Sequence, residues 1–444
     1  MFLLPDAKPI YTNIEQKTAA WVHMTSQEKS DRRNFLKIAG GTAAGLVVGG
    51  VAGYMGAQAT VPPPQKAVLS GEIPIGILHA SPIEVPPEAP AIAMAKDDIN
   101  KYVQEHTRVP VTFAFYEENA EESATKAVER AQALIGRGVQ IIIGSEWSSH
   151  CKEVLPTVND RKIVLLSQSS SSPALAIPGD YLFRLQPDDT KQALAISRET
   201  TDLGIKAAIC VYASEAYAQG LYKELEPKWR ESGIEIVQAL GVDPEKKEFI
   251  GEFAGVNDKF KEARSKYSAD EIGIFLLGTY GPVVPMLTSL AKYADLLTAR
   301  VLGPDSGGAP GYIQYVGDIC AQVRFTAYAF GPAVSPKYTD WAQQYIAKAG
   351  FEPYFTGVNI YDCLWLAALS VLEAQEYKGE TIWKILPKVA DSYYGVSGWT
   401  TLNEAGDRKY PTYNIYQVVK EGGENKWKTI GFYDGVTDSI KWST

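Results

Sequence analysis

The sequence predicts an α/β protein made of two doubly wound lobes. Three observations carry this. Short apolar runs alternate with helical patterns from Glu72 onward, the alternation restarts near Ala207, and the 444-residue chain, even without its first 59 residues, is longer than one core comfortably fills. Composition agrees: 45% of residues are hydrophobic and 21% charged, enough apolar content to offset ordering entropy and exclude a disordered chain. The formal charge of −9 disfavours a general nucleic-acid binder, because an acidic surface repels phosphates. Four cysteines are too few for a disulfide scaffold.

Residues 1–59 read differently from the rest. Ser30-Asp31-Arg32-Arg33-Asn34-Phe35-Leu36-Lys37 precedes a Gly/Ala-rich apolar run, Ile38 to Met55, which ends in Ala57-Gln58-Ala59. Basic residues, a mildly apolar stretch and a small-x-small site make an export signal. The paired arginines resemble the twin-arginine class. So many glycines between Gly40 and Gly56 would make a poor soluble helix. Cleavage after Ala59 and retention of residues 38–59 as an anchor both fit, and Met1 and Met24 are both candidate starts. This run alone approaches the ~20 apolar residues of a membrane span, so a polytopic membrane protein is excluded. Residues 60–70, with Val61-Pro62-Pro63-Pro64, read as a stiff linker.

Ile73–Leu78 is continuously apolar, the mark of a strand buried on both faces. Ala89–His106 has helical spacing, Val111–Phe115 is the next strand, and Ala120–Arg137 is an amphipathic helix closed by Gly138. Val139–Gly144, a helix over His150–Asn159 and a strand over Lys162–Ser167 follow. Strands separated by helices at this spacing form right-handed parallel units. The second series has strands at Ala207–Tyr212, Ile234–Val237, Glu271–Leu277 and Val301–Gly303, with helices at Ala218–Ser232 and Pro282–Ala294. In such sheets ligands sit beyond the carboxyl ends of the strands. Those ends carry His79-Ala80-Ser81, residues 144–149, residues 167–172, residues 212–217, Gly278-Thr279-Tyr280 and Gly303-Pro304-Asp305. Ser, Tyr and single carboxylates dominate them. This suits a small polar ligand with an organic body; neither a metal-ligand spacing nor a phosphate loop is present.

The order of several segments resembles exported solute-binding proteins of the branched-chain amino-acid (Leu/Ile/Val) type, which have the class I periplasmic-binding fold. They are Ile75-Gly76-Ile77-Leu78, Asp98-Ile99-Asn100, Ile143-Gly144 with Ser148-Ser149, Ser167 with Ser171-Ser172-Pro173, Asp180–Arg184, Tyr217 with Gly220-Leu221, Gly303-Pro304-Asp305, Gly395–Gly398 and Asn403–Arg408. The resemblance runs from about residue 72 to 420. It implies three crossovers joining the lobes, near Arg184–Pro187, Phe330–Ala333 and Val396–Trp399. Residues 71–185 and 331–395 then form one lobe, and 186–330 and 396–444 the other. It further implies hinge closure on a ligand, an ABC permease with ATPase subunits as partners, an extracytoplasmic location, no cofactor and no catalysis.

The candidate site follows from ligand chemistry. An amino acid presents a carboxylate, which needs donors, and an ammonium, which needs an acceptor. Ser148 sits at a helix start, where free N–H groups favour an anion, and Ser169 and Ser171 lie on the neighbouring loop. The resemblance gives these serines the ligand carboxylate; capping turns is their common alternative role. It gives Asp305 the ammonium, with a turn aspartate as the alternative. Tyr217 and Tyr280 match aromatic positions that close over the ligand, and Trp147 either walls the side-chain pocket or packs at the surface.

One segment departs from the family. Ser81–Glu88 is shorter than usual and carries Pro82, Pro86 and Pro87 beside two glutamates. Glu84 and Glu146 fit either a cationic or amide ligand or plain solvated loop acids. His79 fits ligand contact and core packing equally. His150 and Cys151 are adjacent, and neighbours on a helix point in different directions, so a nucleophilic pair is disfavoured. The expected function is therefore a receptor for a small, aliphatic amino acid. The rival is a sensor module for amides, urea or small carboxylates.

Overall fold

Two sheets organise the molecule. The computed structural model describes residues 69–305, 311–332, 335–435 and 437–443, so the expected export signal, twin-arginine motif and nearly all of the linker lie outside the described residues.

The first sheet contains β1 (Gly71–His79), β2 (Val111–Asn119), β3 (Ile141–Gly144), β4 (Val164–Ser167) and β5 (Leu182–Arg184) in the order β2-β1-β3-β4-β5. All neighbours are parallel. Its faces alternate residue by residue. Ile73, Ile75, Ile77, Ile141 and Ile143 enter one core, while Leu78, Ile142 and Leu165 enter another. Burial on both sides explains why these strands read as unbroken apolar runs. Helices α1 (Val85–His106), α2 (Ala124–Gly136) and α3 (Ser148–Arg161) connect the strands.

Helix α1 begins four residues before the periodicity suggested. A proline stands in its first turn, where a missing N–H breaks no helical bond. The loop after β1 therefore shrinks from the expected Ser81–Glu88 to a short turn, with Glu84 as the N-cap.

The second sheet starts with helix α4 (Asp189–Asp202) and strand β6 (Ala207–Ala213). It continues through α5 (Ala216–Glu231), β7 (Glu235–Val242), α6 (Ile250–Arg264), β8 (Ile272–Leu277), α7 (Tyr280–Leu290), β9 (Arg300–Leu302), α8 (Gly311–Gln322) and β10 (Thr326–Phe330). These five strands are parallel. The chain then leaves for three helices, α9 (Pro336–Ala349), α10 (Phe355–Ala374) and α11 (Gly379–Ser392). All three pack on the first sheet's side, α9 and α10 against α1 and α11 against β4. Helix α10 is long and apolar enough to cross a membrane, which the sequence reading did not register, but 83% of its most apolar window is buried in the core.

A small hairpin, β11 (Tyr394–Gly395) with β12 (Gly398–Trp399), leads back. Strand β13 (Thr412–Glu421) pairs antiparallel with β10, and β14 (Glu424–Asp434) and β15 (Ser439–Trp442) extend the edge, giving the order β15-β14-β13-β10-β9-β8-β6-β7.

The connections between the sheets share two arginines. Arg184, at the end of β5, donates from Nε to Asp407 at 2.5 Å and from Nη1 to the Ser172 carbonyl at 2.8 Å. Arg408 donates to the Leu185 carbonyl at 3.3 Å, the Ser397 carbonyl at 2.9 Å and the Trp399 carbonyl at 2.8 Å. Its guanidinium also lies 4.4 Å from the centre of the Phe330 ring. One buried side chain thus touches all three connections. The four cysteines are buried free thiols.

Candidate functional site

A cleft is lined from three directions. Glu84, Glu146, Trp147, Ser148, Ser169 and Ser171 come from the loops that follow the first sheet's strands. Tyr217, Thr279, Tyr280 and Asp305 come from the second sheet's strand ends, and Tyr354, Phe355 and Thr356 from the start of α10. All seven residues singled out from the sequence (Trp147, Ser148, Ser169, Ser171, Tyr217, Tyr280 and Asp305) are therefore brought to one place. The cleft, partly open to solvent, has a volume of ≈ 60 Å³, room for roughly four to six waters at about 10–15 Å³ each. That is the scale of a small molecule.

Backbone geometry makes the cleft. Gly144 ends β3 with φ +110°, and a Cβ there would lie 2.2 Å from the Leu78 carbonyl oxygen, so only glycine lets the loop carrying Glu146 and Trp147 turn away from β1. Helices α3, α7 and α10 all begin at the cleft, and none has a side-chain cap. Their first N–H groups lack intrahelical partners, which makes each start favourable for an anion.

The serines have defined jobs. Ser148 Oγ accepts from the N–H groups of Ser171 at 3.3 Å and Ser172 at 3.2 Å, and lies 3.1 Å from Ser170 Oγ. Its hydroxyl stitches two strand-end loops together, while its backbone begins α3. Ser169 donates its N–H to Ser167 Oγ at 3.4 Å.

On the opposite wall, the Tyr217 hydroxyl donates to Asp305 Oδ1. Gln186 Nε2 donates to Asp305 Oδ2 at 3.1 Å, and the Asp305 N–H donates to Gln192 Oε1 at 3.0 Å. Asp189 is buried nearby, and its carboxyl is pushed well up by burial and by the charge of Asp305. Tyr280 packs edge-on against Tyr312 with ring centres 5.0 Å apart.

Beneath the cleft lies an acid–histidine network. His79 does not line the cleft; its Nδ1 is 3.1 Å from Glu88 and its Nε2 is 3.0 Å from Glu117. Gln168 Nε2 donates to Glu88 at 2.9 Å and to Glu146 at 3.0 Å, and the Ala80 N–H donates to Glu146 at 2.5 Å. His79, Glu88 and Glu146 bring donor atoms within 4.8 Å of one another, a spacing compatible with a metal ion. Hydrogen bonds already engage these atoms. Burial pushes the Glu146 carboxyl well up, as does the charge of Glu88. Burial also raises Glu84, to about 7, with Glu146 adding to the effect.

Thr279 was legible as part of a strand-end loop, whereas Tyr354, Phe355 and Thr356 escaped the sequence reading. The apolar run that follows Pro353 marks a helix start at Tyr354–Thr356, but only the tertiary fold returns that start to the first sheet. His150 and Cys151 lie under the loop, where His150 Nδ1 is 3.3 Å from Ser145 Oγ and Cys151 Sγ donates to the Ser145 carbonyl. Burial lowers His150 to about 4 and raises Cys151 to about 11, the opposite of an activated pair.

Residues 86–424 match the family described as periplasmic binding protein. This chain belongs to that family. The periplasmic binding proteins are solute-binding receptors rather than enzymes, and membership implies an exported, extracytoplasmic location. An uncharacterised protein of Methanocaldococcus jannaschii is 26% identical over 374 residues, covering 79% of this chain and 85% of the relative. The leucine-, isoleucine-, valine-, threonine- and alanine-binding protein of Pseudomonas aeruginosa is 22% identical over 306 residues, 68% of this chain and 78% of the relative. Among solved structures, a leucine-binding protein of Thermotoga maritima superposes with TM-score 0.68 at 18% identity, over 80% of this chain and 98% of that one. The branched-chain amino-acid transporter substrate-binding protein of Streptococcus pneumoniae, in complex with isoleucine, gives TM-score 0.67 at 18% identity, over 81% and 99%. At this identity the structures establish this periplasmic binding protein's fold.

Proposed function

We propose that this protein is the receptor of an ABC importer and captures a small α-amino acid between its two lobes. The observation that carries the reading is the pairing of opposite chemistries across one cleft: the uncapped start of α3 on one wall and the Asp305 carboxylate on the other. The ligand carboxylate meets the α3 N–H groups with the Ser169 and Ser171 loop beside them. The ammonium meets Asp305, which Tyr217 holds in place. Tyr280 and Trp147 close over the body of the ligand. The named relatives bind leucine, isoleucine and similar amino acids, which supports this ligand class.

Nothing in this arrangement changes the ligand. It is held outside the cytoplasmic membrane, handed to a permease, and moved by energy from a partner ATPase. The leader either is removed or tethers the receptor at the outer face of the cytoplasmic membrane. A thermal-shift screen against all amino acids tests the reading, since a cognate ligand at a hundred times its Kd stabilises by about 2.7 kcal/mol. In calorimetry, Ser148→Ala and Asp305→Ala are each expected to weaken binding more than tenfold, because truncating one side of a buried charged contact costs about 2–5 kcal/mol. Full affinity in both variants would refute the site.

A further inference from the structure

We infer that the ligand's side chain ends in a nitrogen donor, a carboxamide or an ammonium group, received by Glu84 and Glu146 with the Thr356 hydroxyl beside them. The inference rests on the amino-acid reading above and departs from the aliphatic side chain expected from the sequence.

The groups that line the cleft must be matched by groups of the ligand. Three carboxyl groups line the cleft, Glu84, Glu146 and Asp305, and no lysine, arginine or histidine is among the described lining residues. An α-amino acid's ammonium uses Asp305, and its carboxylate uses the α3 start. Glu84 and Glu146 then face the remainder of the ligand. Glu146 is 4% exposed and anchored from behind by Ala80 N–H and Gln168, so it cannot swing out to water. Glu84 occupies the N-cap position of α1, and its side chain makes no capping hydrogen bond there.

Thr356 is an independent sign. It is 3% exposed, it lines the cleft, and its Oγ1 has no hydrogen-bond partner. It stands one residue before Gly357, whose missing Cβ lets α10 come so close to the start of α1 that the added atom would be 2.5 Å from the Pro87 carbonyl oxygen. The start of α10, which carries Thr356, therefore packs on the start of α1, where Glu84 is the N-cap residue. Branched methyl groups would bury the unpartnered Thr356 hydroxyl against apolar atoms and place nothing polar beside the two carboxyl groups of the cleft, and unsatisfied buried polar groups are costly. A carboxamide satisfies all three: its N–H groups donate to the glutamates and its carbonyl accepts from Thr356. An ammonium satisfies the glutamates.

Calorimetry on the intact protein decides. The probes are leucine, asparagine (the same shape, with a carboxamide for the isopropyl group), 2,4-diaminobutyrate and aspartate. Asparagine or 2,4-diaminobutyrate is expected to bind at least tenfold more tightly than leucine, and aspartate to bind worst. In Glu84→Gln, the preference for 2,4-diaminobutyrate over leucine is expected to fall at least tenfold. Leucine binding as tightly as both nitrogen-ended probes overturns the inference and leaves the amino-acid receptor standing. Should no α-amino acid bind, both fall.

Discussion

His79 sits where burial and charge pull its proton in opposite directions. Burial alone would lower the imidazolium, but hydrogen bonds to Glu117 and Glu88, with the charges of Glu88 and Glu146, raise it to about 10. Its folded value lies above the ordinary value of about 6.5. The stabilisation is therefore complete below pH 6.5 and drains away as pH climbs through 10. The urea midpoint of the ligand-free protein is expected to fall between pH 6.5 and 10, and His79→Gln to flatten that slope. A wild-type midpoint level across the interval would contradict a charged His79. This residue also marks a limit of reading from sequence. Its place at a strand end was legible, but its partners were not, because Glu88 comes from a helix that starts earlier than its periodicity and Glu117 from the neighbouring strand. Ser148 is similar. Its position at a helix start was legible, whereas the engagement of its hydroxyl by two backbone N–H groups of another loop depends on how the loops meet.

Among elements, the central first-sheet strands β1, β3 and β4 announced themselves because both faces are buried and their runs are apolar. Strands β13, β14 and β15 did not. Their burial is intermittent, and Lys420, Lys426 and Lys428 interrupt the apolar alternation at the exposed edge of the sheet. The connection from β12 to β13 carries Arg408, whose guanidinium donates to backbone carbonyls on two connections and stacks on the Phe330 ring of the third. Asp362 on α10 fixes the same hairpin by accepting from the N–H groups of Val396 at 2.9 Å and Ser397 at 2.7 Å. Arg408→Ala would remove a buried charge and leave these carbonyls and the neighbouring Asp362 uncompensated. Losing one partner of a buried charged network costs about 3–5 kcal/mol. Chemical denaturation should show that loss, and a variant within 1 kcal/mol of wild type would mean that water replaces the guanidinium without penalty.

For the whole molecule, neither sheet owns a complete site. The first contributes helix starts, serines and the two glutamates; the second contributes Asp305 and the tyrosines. A ligand can shift a conformational balance only by its difference in affinity for the two states. A zwitterion that needs both walls gains most of its contacts only when the walls are near each other, so saturation should favour the closed arrangement. The connections are suited to this role, since backbone and two arginines cross between sheets while no strand is shared. Small-angle X-ray scattering is expected to show a smaller radius of gyration with saturating ligand than without. Asp305→Ala keeps the first wall intact, so it should still bind weakly through that wall without contracting. If wild-type protein binds by calorimetry while its radius stays constant, the hinge does not move on capture, and recognition by a permease would have to read the ligand-filled cleft rather than a change of shape.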